Sequence, residues 1–350
     1  MEDKGEAGRM SFTVDFPSFK STLLQHCRNT IETFSRTPDN RDVYAFVLDA
    51  QSSIGAIGIR WNTLEGLAQT LTHKSYQNYP HDRIYAYNGL KYSVGDYHFE
   101  DDNNDELWSF SNQFAEELDE MWDSDDEEGE RYRSFFIDML VEAIQELAPE
   151  FEKLHRTDDF IAYVTDHDED DMAFMKRTIP DTQFYKAFPD IQQYEEFIQR
   201  IRSLPITEQV GFWSRALVDF KLNNDSKEVL ELKSMHRNEF DVIEQITALG
   251  SHAVGSIMTM LEMFCGYRPF YDGVTRKLDV WTCQSILIDI AQANEDEIKR
   301  LRAILSRQYE EGHQGAINTA RTLHALDPNR FPEEATDEGR LHLLNIEEYK

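Results

Sequence analysis

Residues 43–67, VYAFVLDAQSSIGAIGIRWNTLEGL, decide the fold of the first half of the chain. Val43-Tyr44-Ala45-Phe46-Val47-Leu48 is a short run rich in strand formers, and in Ile54 to Trp61 glycines interrupt apolar residues. The two predict neighbouring strands joined by a turn near Ala50 to Ser53. Asn62-Thr63-Leu64-Glu65-Gly66-Leu67 then opens a helix, with Asn62 or Thr63 as N-cap and Glu65 at the positive end of the helix dipole.

Working outward, Phe19, Leu23, Leu24, Cys27, Ile31 and Phe34 recur at spacings of three and four and predict a helix from Phe16 to Phe34, ended by Pro38-Asp39-Asn40. A third strand fits Arg83 to Tyr87 and a fourth Tyr92 to Phe99, while Phe160 to Val164 has the pattern of a buried strand. Helices fit Asp105 to Trp122 and Tyr132 to Leu147. Residues 15–190 therefore predict an α+β domain, an antiparallel or mixed sheet with flanking helices.

The charge is unevenly placed. The 35 Lys and Arg against 66 Asp and Glu leave a formal charge of −31. From Asp96 to Glu130 there are sixteen Asp or Glu and no Lys or Arg, interleaved with Trp108, Phe110, Phe114, Leu118, Met121 and Trp122. This reads as an acidic insertion at 96–130: a helix with one apolar and one acidic face, then a tract from Asp123 to Glu130 too charged to pack. Bare nucleic acid and anionic membrane would be repelled by such a chain, whereas basic proteins would be drawn to it.

Beyond about Asp190 helical periodicity replaces strand signals. Ile191 to Ile201 and Thr207 to Leu222 are two candidate helices. From Glu239 a weak repeat follows: Ile246, Leu249, a break at Gly250-Ser251, then Ala253, Ile257 and Leu261 recur about 44 residues later as Ile290, Ala293, a break at Asn294, then Ile298, Leu301 and Leu305. A partial third copy ends at Asp327-Pro328. The period lies in the HEAT and armadillo range, so 191–350 predicts an all-α, HEAT-like repeat region whose units stack to bury their apolar faces.

Motifs for catalysis are missing. There is no HExxH, GxSxG or GxxxxGK[ST], and Gly55-Ala56-Ile57-Gly58 lacks the third glycine of a dinucleotide loop. Asp101-x-Asn103-x-Asp105, Asp123-x-Asp125-x-Glu127 and Asp166-x-Asp168-x-Asp170 each fail the calcium-loop spacing, having acids where glycine is required and no glutamate at the closing position. Cys27, Cys265 and Cys283 are too scattered for a zinc site or a disulfide framework and read as buried thiols. His167, between Asp166 and Asp168 at a strand end, is the most site-like histidine, set against a surface histidine flanked by acids. No cofactor or metal is implied and an enzyme is not expected. With no leader pattern and no membrane-length apolar run, the chain is expected in the cytoplasm.

Taken together, Val43 to Leu48, Asn62 to Leu67, Ile84-Tyr85-Ala86-Tyr87 and the strand from Ile161 to Asp168 resemble, in order and spacing, an uncharacterised bacterial immunity-protein-like α/β family whose members occur beside polymorphic toxins. The resemblance covers about residues 15–190 and brings no catalytic residues. It implies a bacterial immunity or inhibitor protein that binds a cognate toxin, a basic nuclease for instance, by occlusion. The alternatives are a scaffold or regulatory subunit of a defence or other assembly, and a divalent-metal hydrolase built on Asp166, His167, Asp168 and acids from the other acidic cluster. Candidate partner-binding residues are Trp108, Trp122, Asp123, Asp125, Asp126, Glu127, Glu128, Asp166 and Asp168, with the concave face of the repeats as the other candidate surface.

Overall fold

The computed structural model describes residues 13–102, 104–122, 126–167, 171–266, 274–310, 315–333 and 341–344. The chain divides into two compact units, Met1–Gln192 and Gln193–Lys350.

The first unit is built on helices α1 (Phe16–Ser35), α2 (Leu64–Thr70), α3 (Asp105–Trp122), α4 (Asp126–Glu146), α5 (Asp171–Thr178) and α6 (Asp181–Ala187), and on strands β1 (Val43–Gln51), β2 (Ala56–Thr63), β3 (Phe99–Asp101) and β4 (Arg156–Asp166). The strands form one mixed sheet in the order β3-β2-β1-β4; β1 is antiparallel to β2 and parallel to β4, and β2 is antiparallel to β3. An unbroken apolar run suits β1 because both of its faces are covered. Phe46, Leu48 and Ala50 meet the core under α1, α3 and α4, and Tyr44, Ala45 and Val47 meet a second core under α5 and α6.

Local chemistry explains where these elements start. Asp15 caps α1 by accepting the Ser18 N–H at 3.2 Å, and Thr63 caps α2 by accepting the Gly66 N–H at 3.0 Å. At the β1–β2 turn Gly55 has φ +63, and a Cβ there would lie 2.5 Å from the Phe114 ring; the hairpin closes onto α3 only because that residue is glycine.

Two sequence expectations are corrected. Residues 83–87 and 92–98 are not strands. The segment folds into 3-10 turns at Lys74–Tyr76, His81–Arg83, Leu90–Tyr92 and Val94–Asp96, and pairing resumes only at Phe99–Asp101. The chain doubles back there, the Lys91 N–H donating to the Ile84 carbonyl at 2.9 Å, and a Cβ on Gly89 would sit 2.0 Å from the Arg83 carbonyl oxygen. Ile84, Leu90 and Tyr92 still reach the core, from turns. The acidic tract is not all loop either, since α4 begins at Asp126. Acids in a first turn face the positive end of the helix dipole, and Glu130 pairs with Arg133 at 3.0 Å one turn on.

Helix α7 (Pro189–Arg202) spans the division, and the second unit continues with α8 (Ile206–Lys221), α9 (Lys227–Ser234), α10 (Glu239–Ala248), α11 (Ser251–Gly266), α12 (Val274–Ile290), α13 (Glu295–Glu310) and α14 (Gly315–Leu326). Its described residues contain no strand. The short α9 was not anticipated, although Ser226 marks its start by accepting the Val229 N–H. Polar breaks separate the later helices: Gly250, at φ +56, turns α10 into α11, and Asn294 caps α13 by accepting the N–H groups of Asp296 and Glu297 at 3.0 Å each. Ile246, Ile257, Leu261, Ile286, Leu301, Leu305 and Leu323 share one core. Within it Gln284 donates to the Thr319 hydroxyl at 2.8 Å, and Thr319 donates to Gln308 at 2.6 Å, a buried polar link across α12, α13 and α14. Cys27 and Cys283 are buried free thiols, and among the described residues no helix is long and apolar enough to cross a membrane.

Candidate functional site

The parallel strands β1 and β4 end level with one another, Asp49 beside Thr165 and Ala50 beside Asp166. Asp166 turns inward, 2% exposed, and accepts the Ser52 N–H at 3.1 Å, so it ties the hairpin turn to β4. The next residue extends the ladder, His167 N–H to Ala50 carbonyl at 3.1 Å, and leaves its ring in solvent with Nε2 3.0 Å from Asp49 Oδ1. Burial pushes the Asp49 carboxyl above its ordinary range, and the pull of His167 and Arg60 in the opposite direction does not cancel it. A solvent-facing imidazole oriented by a buried carboxylate has the form of half a general-base arrangement. Among the described residues, no three His, Cys, Asp or Glu side chains are grouped to hold a metal.

Arg60 on β2 connects this strand end to an acidic edge. Its guanidinium grips both oxygens of Asp102, Nη2 to Oδ2 at 2.7 Å, and its Nε lies 3.8 Å from Asp49 and 3.9 Å from Glu100. The hydrogen bond to Asp102 raises the Arg60 pKa further, so this cation is fixed. Three carboxylates thus surround one guanidinium at the start of the acidic segment, and negative charge remains in excess. On the side facing α1, Asp101 accepts a hydrogen bond from the Thr30 hydroxyl at 2.6 Å and lies 3.5 Å from His26 Nε2. An open groove of about 460 Å³ runs here between α1 and β3, bordered by His26, Thr30, Thr37, Trp61, Glu100 and Asp101. A second, small cavity on the other side of His26 is bordered by Asp101, Asp102, Ser111 and Trp108.

Helix α3 carries the acidic face beside this groove. Leu107, Ser111, Phe114 and Leu118 form its buried stripe. Trp108 is offset from that stripe by one residue, about 100° of helix, and its ring is 53% exposed next to exposed Asp105 and Glu106. Trp108 is therefore displayed and not part of the core-facing side.

The sequence candidates divide as follows. Trp108 stands at the acidic edge, and Glu127 and Glu128 lie in the first turns of α4, the first exposed and the second half-buried. Trp122 and Asp126 lie at the facing ends of α3 and α4, and their side chains are outside the described residues, as are Asp123, Asp125 and Asp168. Asp166 is corrected: it is buried and hydrogen-bonded to the hairpin turn, so it offers no surface to a partner. Sequence reasoning missed His26, Arg60, Asp49 and Glu100, whose partners are distant in the chain. For His26 a weak signal existed in the spacing to Thr30, one helical turn on.

A further polar cluster lies on the opposite face of the sheet. Lys91, 4% exposed, is paired with Asp159, and its Nζ stands 5.1 Å from the ring centres of both Tyr44 and Tyr92. Burial raises the Asp159 carboxyl, but hydrogen bonds from Lys91 and Thr157 outweigh it and hold the group below its ordinary value. The pair fastens the 3-10 turns to β4, a structural task.

No curated protein and no solved structure matches the chain. Residues 23–179 match a protein family described as a domain of unknown function, DUF4303. The segment similar to that family begins in α1, ends just past α5 and contains all four strands, so the acidic edge, the groove and the Asp49–His167 pair all lie inside it.

Proposed function

We propose that this chain is a binding protein for a basic partner, an immunity or inhibitor protein that covers a toxin's working surface with the acidic edge formed by β3 and α3. The observation that carries this reading is the display of Trp108, 53% exposed, beside exposed Asp105 and Glu106 and on the same small cavity as Asp101 and Asp102, in a segment without lysine or arginine. A large aromatic flanked by exposed carboxylates suits a contact in which charge steers the encounter and the ring anchors the complex. The same edge would fill a nuclease's cationic substrate cleft in place of nucleic acid. A scaffold role is the second reading, favoured by Phe240 and Trp281, 68% and 54% exposed on the helical unit.

The test begins with the product of the neighbouring gene, purified and titrated against this chain. Association should slow steeply as salt rises, and Trp108→Ala should weaken binding at least ~10-fold, mainly through faster dissociation. Binding that ignores both salt and Trp108 would remove the acidic edge as the contact. Loss of binding on Phe240→Ala instead would favour the helical unit.

A further inference from the structure

The two outer edges of the sheet are treated differently. On β4 the carbonyls of Asp158 and Phe160 accept hydrogen bonds from Gln183 Nε2, at 3.1 and 2.8 Å, and Asp158 also accepts from Lys186 Nζ at 2.7 Å. Side chains of α6 thereby occupy that edge, one of the usual ways to prevent a further strand from adding. β3 ends the sheet on the other side, has no strand beyond it among the described residues, and borders the α1 groove.

The groove is polar as well as open. From His26 to its end at Ser35 α1 runs ~14 Å, the length of about four residues of extended chain. Opposite that face stand Glu100 and Asp101, Glu100 with 69% of its side chain exposed. At the base lies Trp61, only 7% exposed, whose indole N–H makes no hydrogen bond. Buried donors are rarely left unmatched, and an unmatched one bordering a groove marks where an acceptor from outside would gain most.

We infer that this groove receives an extended basic segment of the partner, which adds as a strand to the free edge of β3 and places a lysine or arginine side chain against Glu100 on one face of the strand and another, one position along, against Asp101 on the face towards α1. The inference rests on the proposed function and specifies how the partner is held. Main-chain pairing would supply affinity without regard to sequence, and each carboxylate would select a cationic residue on its own face of the added strand, alternating lysines serving whichever face they meet. The charge complement decides the occupant: β3 carries two acids in three residues, and the nearby cation, Arg60, is committed to both oxygens of Asp102 and only 3.9 Å from Glu100, so negative charge stays in excess.

The test uses an alternating Lys-Thr octapeptide as probe, titrated into the isotopically labelled full chain and followed by NMR. Saturable binding should shift the Trp61 indole N–H and the amides of residues 99–101. A peptide N-methylated at alternate residues, which keeps its charge but loses half its main-chain donors, should bind at least ~10-fold more weakly, as should the unmethylated probe to Glu100→Gln/Asp101→Asn. Equal binding of the methylated peptide, or shifts confined to α3 and α4, would overturn strand addition in favour of diffuse charge attraction. Absence of saturable binding overturns it too. If the whole partner still binds and depends on Trp108 while the groove variants leave it unchanged, the groove inference falls and the proposed function stands; if Trp108 and salt do not affect the partner, the proposed function falls and takes the basic partner with it, and saturable probe binding then shows only that the groove accepts a strand.

Discussion

The two units differ in charge far more than in their supply of cations. Met1–Gln192 carries 17 Lys and Arg against 40 Asp and Glu, a net −23, and Gln193–Lys350 carries 18 against 26, a net −8. The second unit uses its acids to join helices: Arg300 binds both oxygens of Glu262 at 2.7 Å, Arg330 clamps Glu295, and Arg200 reaches Glu231 at 2.5 Å. The first unit makes pairs of the same kind, Lys20 with Glu142 and Glu146 and Lys153 with Glu32 and Glu150, yet retains a surplus concentrated after β3. Surplus charge opposes compactness, so the proposed basic partner would relieve a repulsion that the first unit carries and the second largely lacks.

The comparison is broken most forcefully in the cores. Phe114 is fully buried, stacked on Tyr132 at 4.5 Å and tilted against Phe136 at 4.9 Å, and Leu301 is fully buried in the other unit. Phe114→Ala should cost about 3–5 kcal/mol and Leu301→Ala about 2–5 kcal/mol. If the units are energetically separate, calorimetry will show each substitution lowering one transition and leaving the other in place. A common shift would show that they melt together and that their charge should be judged as one sum.

A smaller effect tests the polar link in the helical unit. Thr319→Val keeps the shape of the side chain but removes the hydroxyl between Gln284 and Gln308, both 2% exposed or less. Two buried amides then lose a partner, and the cost should be about 2 kcal/mol. Equilibrium denaturation measures it; a neutral result would mean that the glutamines rearrange and bond to each other.

How much of this was legible in the sequence depended on the range of the interaction. Helix α3 was read to its bounds and α1 to within a residue, because their apolar spacing is local. The β1–β2 hairpin was legible for the same reason, two apolar runs close to one turn. β3 was not, since Phe99-Glu100-Asp101 is three residues long, two of them acidic, and nothing local marks it as a strand. The site was legible as an acidic segment with a tryptophan in it. Its geometry was not: Arg60 meets Asp102 across 42 residues, Thr30 meets Asp101 across 71 and Lys91 meets Asp159 across 68. Trp108 shows the limit of periodicity, because a ring one position off the buried stripe counts as apolar in the pattern yet faces solvent.

The finest test separates acids held for structure from acids held for surface charge. The Asp49 side chain is 12% exposed, and desolvation raises its pKa above the unfolded value. A carboxyl with a raised folded pKa binds its proton more tightly in the native state. Its contribution is therefore favourable below the unfolded pKa near 4 and is lost as pH rises through the folded value. Above that window the native state holds a charge it would be more stable without. Asp49→Asn should accordingly raise the Tm by no more than a few degrees at pH 7, and the gain should vanish below about pH 4, where the wild-type carboxyl is protonated. If Asp49→Asn instead lowers the Tm at pH 7, the links to His167 and Arg60 outweigh the burial, and Asp49 belongs with the paired acids of the helical unit.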